Sequence, residues 1–252
     1  MILFSDLDNT LIYSYKHDIG LRKRNVELYQ GREISFITED TWQYLKRLKA
    51  RIEIVPLSTR SVEQYQRINL GVGEFPYALV CNGGILLKNG QRVESWYEKS
   101  LEEIKDSNEE IRKGLALLEK DSRRSFELRY VEELFVFTKC AEAERVVLEL
   151  RERLDCEYAD VFHNGAKVYI VPKMLTKGRA LERFMEYQKE HFSIAAGDSE
   201  FDISMLKTAT LALAPFGFRE NFSVDFPVEE MREGKVFSEE LLGRCLEITE
   251  KQ

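Results

Sequence analysis

Hydrophobic and polar positions along the chain follow two alternating rhythms. Short apolar runs at Ile2-Leu3-Phe4, Ile52 to Leu57, Tyr77 to Val80, Ile194 to Ala196 and Leu211 to Phe216 read as strands buried on both faces. Periodic segments lie between them. From Glu39 to Lys49, residues Trp42, Leu45 and Leu48 fall on one helical face behind a Thr38 cap, and Lys177 to Glu190 reads as a further helix. Alternating strands and helices predict an α/β fold with a doubly wound parallel sheet, Rossmann-like in layout. Sheets of this kind place ligand sites at the carboxyl ends of their strands, where Asp6, Asp8, Ser58 and Asn82 fall.

The rhythm changes in the middle of the chain. A hairpin at Asn89-Gly90 and a charged helix from about Leu101 to Lys120 precede the strand-rich stretch Ser125 to Lys139. A helix from Glu142 to Leu154 and strands at Tyr158 to Phe162 and Lys167 to Val171 complete a small α+β module. The module interrupts the parallel sheet, so residues 1–83 and 173–252 are expected to form a core domain and 84–172 an inserted one. Residues 12–37 make a long connection in which Val26 to Ile37 reads as a hairpin turning at Gln30-Gly31.

Composition narrows the function classes. The 252-residue chain carries a formal net charge of −7, which gives no general attraction to nucleic-acid backbones. Its most basic run, Leu21 to Arg24, is short and reads as a solvated loop. No apolar run reaches membrane-spanning length and the amino terminus lacks a signal-peptide layout, so the default expectation is a cytoplasmic protein without nucleic-acid or membrane partners. Cys81, Cys140, Cys156 and Cys245 are widely spaced, which predicts reduced thiols, mostly in the core.

Acidic residues at strand ends bring in chemistry. Asp6 and Asp8 lie two residues apart after the first strand, and their mutual repulsion asks for a cation. The same Asp-Asn-Thr stretch is also ordinary turn and cap chemistry. Gly197-Asp198 and Asp202 follow another strand, with Gly197 read as permitting a tight turn. Singly, Asp198 or Asp202 can cap the short helix Phe201 to Lys207; jointly with Asp6 and Asp8 they form an all-oxygen set suited to Mg²⁺. Ser58 and Lys177 add a hydroxyl and a cation of the kind that a phosphoryl group needs.

Taken in order, Asp6-Leu7-Asp8-Asn9-Thr10, Ser58, Lys177, and Gly197-Asp198 with Asp202 resemble the four motifs of the haloacid dehalogenase-like phosphohydrolases. The resemblance implies a Mg²⁺-dependent phosphatase in which the insert is a type 2 cap. It implies that Asp6 attacks phosphorus to form an aspartyl-phosphate and that Asp8 serves as acid and base, with its backbone carbonyl helping to hold the metal. Asp198 would ligate the metal with Asp202 beside it, and Ser58 and Lys177 would hold the phosphoryl group. Phe201 stands where capped relatives usually have Asn, and Thr59 where they often have Gly. A finer likeness, to sucrose-phosphatase-type members and to phosphatases encoded with bacterial tellurite-resistance-type genes, implies a bacterial enzyme for a sugar- or nucleotide-related phosphate. A phosphomutase or other phosphotransferase, or a weakly catalytic phospho-ligand sensor, would share these motifs. In the insert, His163 and Lys167 flank a turn at Asn164-Gly165 and are candidate substrate contacts, Asn164-Gly165 itself reading as a plain hairpin turn.

Overall fold

The computed structural model describes residues 1–250 and divides into two compact units, Met1–Arg92 with Thr176–Gln252, and Val93–Leu175. The first unit opens with β1 (Ile2–Ser5), β2 (Tyr13–Ser14), β3 (Lys23–Tyr29), β4 (Arg32–Thr38) and helix α1 (Glu39–Lys49). It continues through β5 (Glu53–Pro56), α2 (Val62–Gln66), β6 (Tyr77–Val80), β7 (Ile85–Lys88) and β8 (Gln91–Arg92). The second unit holds α3 (Glu94–Ile104), α4 (Asn108–Glu119), β9 (Arg129–Val131), β10 (Phe135–Lys139), α5 (Ala143–Arg153), β11 (Ala159–Asn164) and β12 (Lys167–Pro172). The chain then returns with α6 (Lys177–Gln188), β13 (Ser193–Ala196), α7 (Ile203–Thr208), β14 (Leu211–Ala214), α8 (Phe218–Phe222), β15 (Glu229–Glu230) and α9 (Phe237–Glu250).

A five-stranded parallel sheet in the order β15-β14-β13-β1-β5 forms the centre of the first unit. Every residue of β1 and β13 is buried, which is why these strands read as unbroken apolar runs. The chain moves from β1 to β5 on one side and returns to β13 on the other, so the carboxyl ends of β1 and β13 flank a switch in strand order. Their register pairs Ser5 with Ala196, and the Asp6 amide donates to the Ala196 carbonyl at 2.9 Å. Two loops separated by 190 residues of sequence therefore start side by side. Strand β6 meets β5 through a single parallel bridge, Leu57 to Leu79, and then pairs with β7 and β8.

Helix α1 follows its predicted bounds: the Thr38 side chain accepts from the Thr41 amide, and Leu45 and Leu48 face the core. The hairpin of β3 and β4 turns at Gln30-Gly31, both in left-handed backbone at φ 50° and 74°.

Two local expectations are corrected, and one helix is added. Residues 84–92 group with the first unit rather than the insert, because β7 and β8 pair with β6, and residues 173–175 group with the second unit rather than the core. The charged helix expected from about Leu101 is two helices, α3 beginning at Glu94 and α4 at Asn108, joined by a 3₁₀ turn at Lys105–Ser107. The C-terminal helix α9 buries Leu241, Leu242 and Cys245 and has no counterpart among the predicted elements. The second unit is an antiparallel sheet in the order β11-β12-β10-β9. Val136, Ile170, Val146 and Leu150 join its sheet and α5 in one apolar core. Cys81, Cys140 and Cys245 are buried, Cys156 is exposed, and all four are free thiols.

Candidate active site

The segment after β1 makes one tight turn in which the amides of Thr10, Leu11 and Ile12 all donate to the Leu7 carbonyl. Asn9 takes left-handed backbone at φ 61°, a conformation that Asn tolerates better than most residues. The buried Tyr13 hydroxyl supports the turn by donating to the Thr10 carbonyl while accepting from the Ser238 amide. Burial pushes that phenol up to about 12. The turn aims the Thr10 hydroxyl at Asp198 Oδ1, 3.0 Å away.

Lys177 occupies the centre of the site. It is the first residue of α6, behind a Thr176 cap, and its side chain is 1% exposed. Its Nζ donates to Asp6 Oδ1 and to Asp202 Oδ1, both at 2.6 Å. The remaining oxygen of Asp202 accepts from the Asp198 and Ser199 amides and the Ser199 hydroxyl at 3.0, 2.9 and 2.8 Å. Asp202 thus shapes the loop after β13 and anchors Lys177 at once. Gly197 is needed for this approach rather than for its turn: a Cβ there would lie 2.4 Å from the Asp202 Cβ, and Gly197 is not among the glycines with positive φ.

Carboxylate oxygens of Asp6, Asp198 and Asp202 lie within 4.8 Å of one another. Burial and the other carboxylates raise the Asp6 carboxyl well above its ordinary range despite the opposing charge of Lys177. Burial first, and then the charge of Asp202, push Asp198 up to about 7. Lys177 stays protonated, because Asp202 and Asp6 outweigh the effect of its burial. Three crowded carboxyls around one ammonium resist ionising together, a cation would relieve that crowding, and this set of hard oxygen donors fits a Mg²⁺ ion.

Asp8 is held differently. Arg60 Nε and Nη2 donate to its two carboxylate oxygens, each at 2.8 Å, and Arg60 Nη1 donates to Glu27 Oε1 at 2.8 Å. Ser58 is buried at the end of β5; its carbonyl accepts from the Asn82 amide at 2.9 Å and its hydroxyl from the Arg60 amide at 3.3 Å. Asn82 is buried at the end of β6, the second of three consecutive left-handed residues, Cys81, Asn82 and Gly83. His163 and Lys167 are exposed in the other unit, on the β11–β12 hairpin whose tip contains Gly165 at φ 57°.

Sequence reasoning missed Arg60, Glu27 and the bond from Thr10 to Asp198. Arg60 directly follows Ser58-Thr59 at a strand's carboxyl end, and that position was the available signal. Glu27 had none, since the sequence places it only in a hairpin with no motif around it.

Residues 92–214 match the family model described as haloacid dehalogenase-like hydrolase. That span contains Lys177, Asp198 and Asp202, while Asp6, Asp8 and Ser58 lie outside it. No curated protein sequence matches the chain. Among solved structures, the sucrose-phosphatase from Synechocystis sp. PCC6803, in complex with sucrose and phosphate, is 16% identical with a TM-score of 0.66 over 98% of this chain and 97% of that one. Thermoplasma acidophilum 0175 is 14% identical, TM-score 0.64, over 100% and 98% of the two chains. The subclass IIB sugar phosphatase BT4131 is 14% identical, TM-score 0.63, over 98% of each. At these identities the three likenesses establish the shared fold.

Proposed function

We propose that this chain is a haloacid dehalogenase-like hydrolase, the family whose model matches residues 92–214, and that it hydrolyses the phosphomonoester of a small sugar- or nucleotide-related metabolite through an aspartyl-phosphate. The observation that carries the reading is the Asp6–Lys177–Asp202 bridge beside Asp198, at the carboxyl edge of a parallel sheet. A structural salt bridge has no need of a third carboxylate, whereas a phosphoryl site needs both a carboxylate nucleophile and cations around it.

In this reading Asp6 Oδ attacks phosphorus as the ester P–O bond breaks. Asp8 gives its proton to the leaving oxygen, then takes one from the water that attacks the aspartyl-phosphate. Proton transfer of this kind contributes roughly 10²- to 10⁴-fold. Lys177 and Ser58 hold the phosphoryl oxygens, and Lys177 also keeps the Asp6 carboxylate from repelling an anionic substrate. Asp6, Asp198 and the Asp8 carbonyl would hold Mg²⁺, with Asp202 supporting them. When bound, the ion supplies charge neutralisation at the transferring phosphoryl group.

The Val93–Leu175 unit is assigned the role of a cap, and His163 and Lys167 that of contacts to the rest of the substrate. A sugar phosphate is favoured because two of the structural relatives are described as acting on such molecules, a sucrose-phosphatase and a sugar phosphatase. The test is a panel of phosphorylated metabolites assayed for phosphate release with Mg²⁺, alongside Asp6→Asn. Release that vanishes in the variant supports the reading. Isomer formation without phosphate release would instead favour a phosphomutase, and binding without turnover a sensor.

A further inference from the structure

Strand β3 buries two neighbouring side chains, Val26 and Glu27, where strand alternation should bury only one. A bulge explains this: pairing with β4 passes from Asn25–Phe36 directly to Glu27–Ser35, skipping Val26. The bulge turns a carboxylate into the interior, where its side chain has no exposure. An isolated buried charge is costly, so its partners are informative. The Ser35 hydroxyl donates to Glu27 Oε2 at 2.6 Å, and Arg60 Nη1 and Arg67 Nε donate to Oε1 at 2.8 and 3.3 Å. Arg67 also lies over the Tyr29 ring at 4.8 Å.

Arg60 is gripped at both edges. One edge meets Glu27 and the Gln64 carbonyl, and the other meets Asp8 as a two-bond fork. Such a fork fixes the plane of the carboxylate as well as its position, which a lysine point charge would not do. Side-chain exposure rises along the series, from 0% at Glu27 to 12% at Arg60 and 46% at Asp8. A buried ion pair stabilises a fold poorly compared with apolar packing of the same volume, so fold stability alone does not account for the series. Its open end is the residue assigned to proton transfer.

We propose that Glu27 and Arg60 are positioning residues which, through the Glu27–Arg60–Asp8 series, set the plane of the Asp8 carboxylate for both proton transfers. The inference rests on the reading of Asp8 as acid and base. The fork occupies one lone pair on each Asp8 oxygen and sets the direction in which the carboxylate plane faces. Glu27 touches neither Asp8 nor the phosphoryl site in this scheme and acts only by holding Arg60.

The test compares an alkyl with an aryl phosphate in the full chain with Mg²⁺, because an aryl leaving group needs little protonation. Glu27→Gln and Arg60→Lys should lower kcat on the alkyl ester about ten- to a hundredfold. On the aryl ester the loss should stay below about threefold, with KM little changed on either. In an Asp8→Asn background the same changes should add no further difference between the two esters. Equal losses on both esters, or no loss on either, would overturn the proposal. Ser35→Ala, which removes one donor to Glu27 while keeping its charge, gives a milder alkyl-selective loss and serves if Glu27→Gln does not fold. A second measurement is independent of turnover: the urea midpoints of Glu27→Gln, Asp8→Asn and the double variant should be non-additive, because both residues share Arg60. Additive midpoints would sink the series. Should the wild-type chain release no phosphate from any substrate, the phosphatase reading fails, and the unfolding cycle decides whether Glu27 holds Asp8.

Discussion

Thr10 donates its hydroxyl to Asp198 at 3.0 Å, tying the loop after β1 to the loop after β13. The bond removes one degree of freedom from a carboxylate expected to meet the metal, and groups that orient metal ligands commonly change affinity by about 10–100-fold when lost. Thr10→Val should therefore raise the Mg²⁺ concentration needed for half-maximal activity, while Thr10→Ser should leave it near wild type. A magnesium titration of activity checks this, and an unchanged requirement in Thr10→Val would remove Asp198 from the proposed ligand set.

Asp6→Asn keeps the shape of the nucleophile and removes its charge. Phosphate release should fall to background, with circular dichroism unchanged. Thermal stability in metal-free buffer should be maintained or increased, because the substitution relieves the crowding that raises the Asp6 carboxyl. Stabilisation by added Mg²⁺ should shrink in the same variant, as read from the shift in Tm.

Glu27 supplies a pH dependence. Burial alone would raise its carboxyl, but hydrogen bonds from Arg60 and Ser35 and the charges of Arg60 and Arg67 hold it below its ordinary 4.5. A carboxyl lowered in the folded state contributes stability that is complete above the unfolded value and is lost as pH falls through the folded one. Urea midpoints of wild type should accordingly drop on acidification below about 4.5, and those of Glu27→Gln should drop less steeply over the same range.

Gly178 sits against α7. Its amide donates to the Ser204 hydroxyl at 3.0 Å, and a Cβ would come within 2.6 Å of the Ser204 carbonyl oxygen, a backbone atom that cannot swing aside. Gly178→Ala should cost about 1–3 kcal/mol of stability through overpacking. It should also lower turnover, because the first turn of α6 carries Lys177. Urea unfolding and kcat measured on the same preparation test both effects; loss of neither would mean that the helices separate freely there.

His163→Ala and Lys167→Ala should weaken kcat/KM for the physiological metabolite while leaving a small generic phosphate ester nearly untouched, because the groups assigned to phosphoryl transfer all lie in the other unit. Parallel effects on the two substrates would make this hairpin tip ordinary surface, with specificity sought at other positions such as Arg129, which is paired to Glu127 beside Phe126.

Local patterns determined much of this protein. Buried parallel strands announce themselves as unbroken apolar runs, the Thr38 cap and spaced leucines mark α1, and Gln30-Gly31 and Asn89-Gly90 mark tight turns, because each depends on residues adjacent in sequence. The positions of Asp6, Asp198 and Lys177 at strand and helix ends were legible for the same reason. Tertiary structure alone decided what those groups do to one another. Lys177 was readable as a helix-start lysine, and only the packing of α6 buries it between two aspartates. Asp202 was readable as a metal ligand or a cap, and only the fold directs one of its oxygens to Lys177 and the other to the loop amides. Glu27 reads only as a hairpin residue, and it is the bulge in β3 that turns it inward, toward an arginine 33 positions away. Charges are placed by long-range pairing, and their energies depend on burial and on partners contributed by distant segments, which is information that no window of sequence carries.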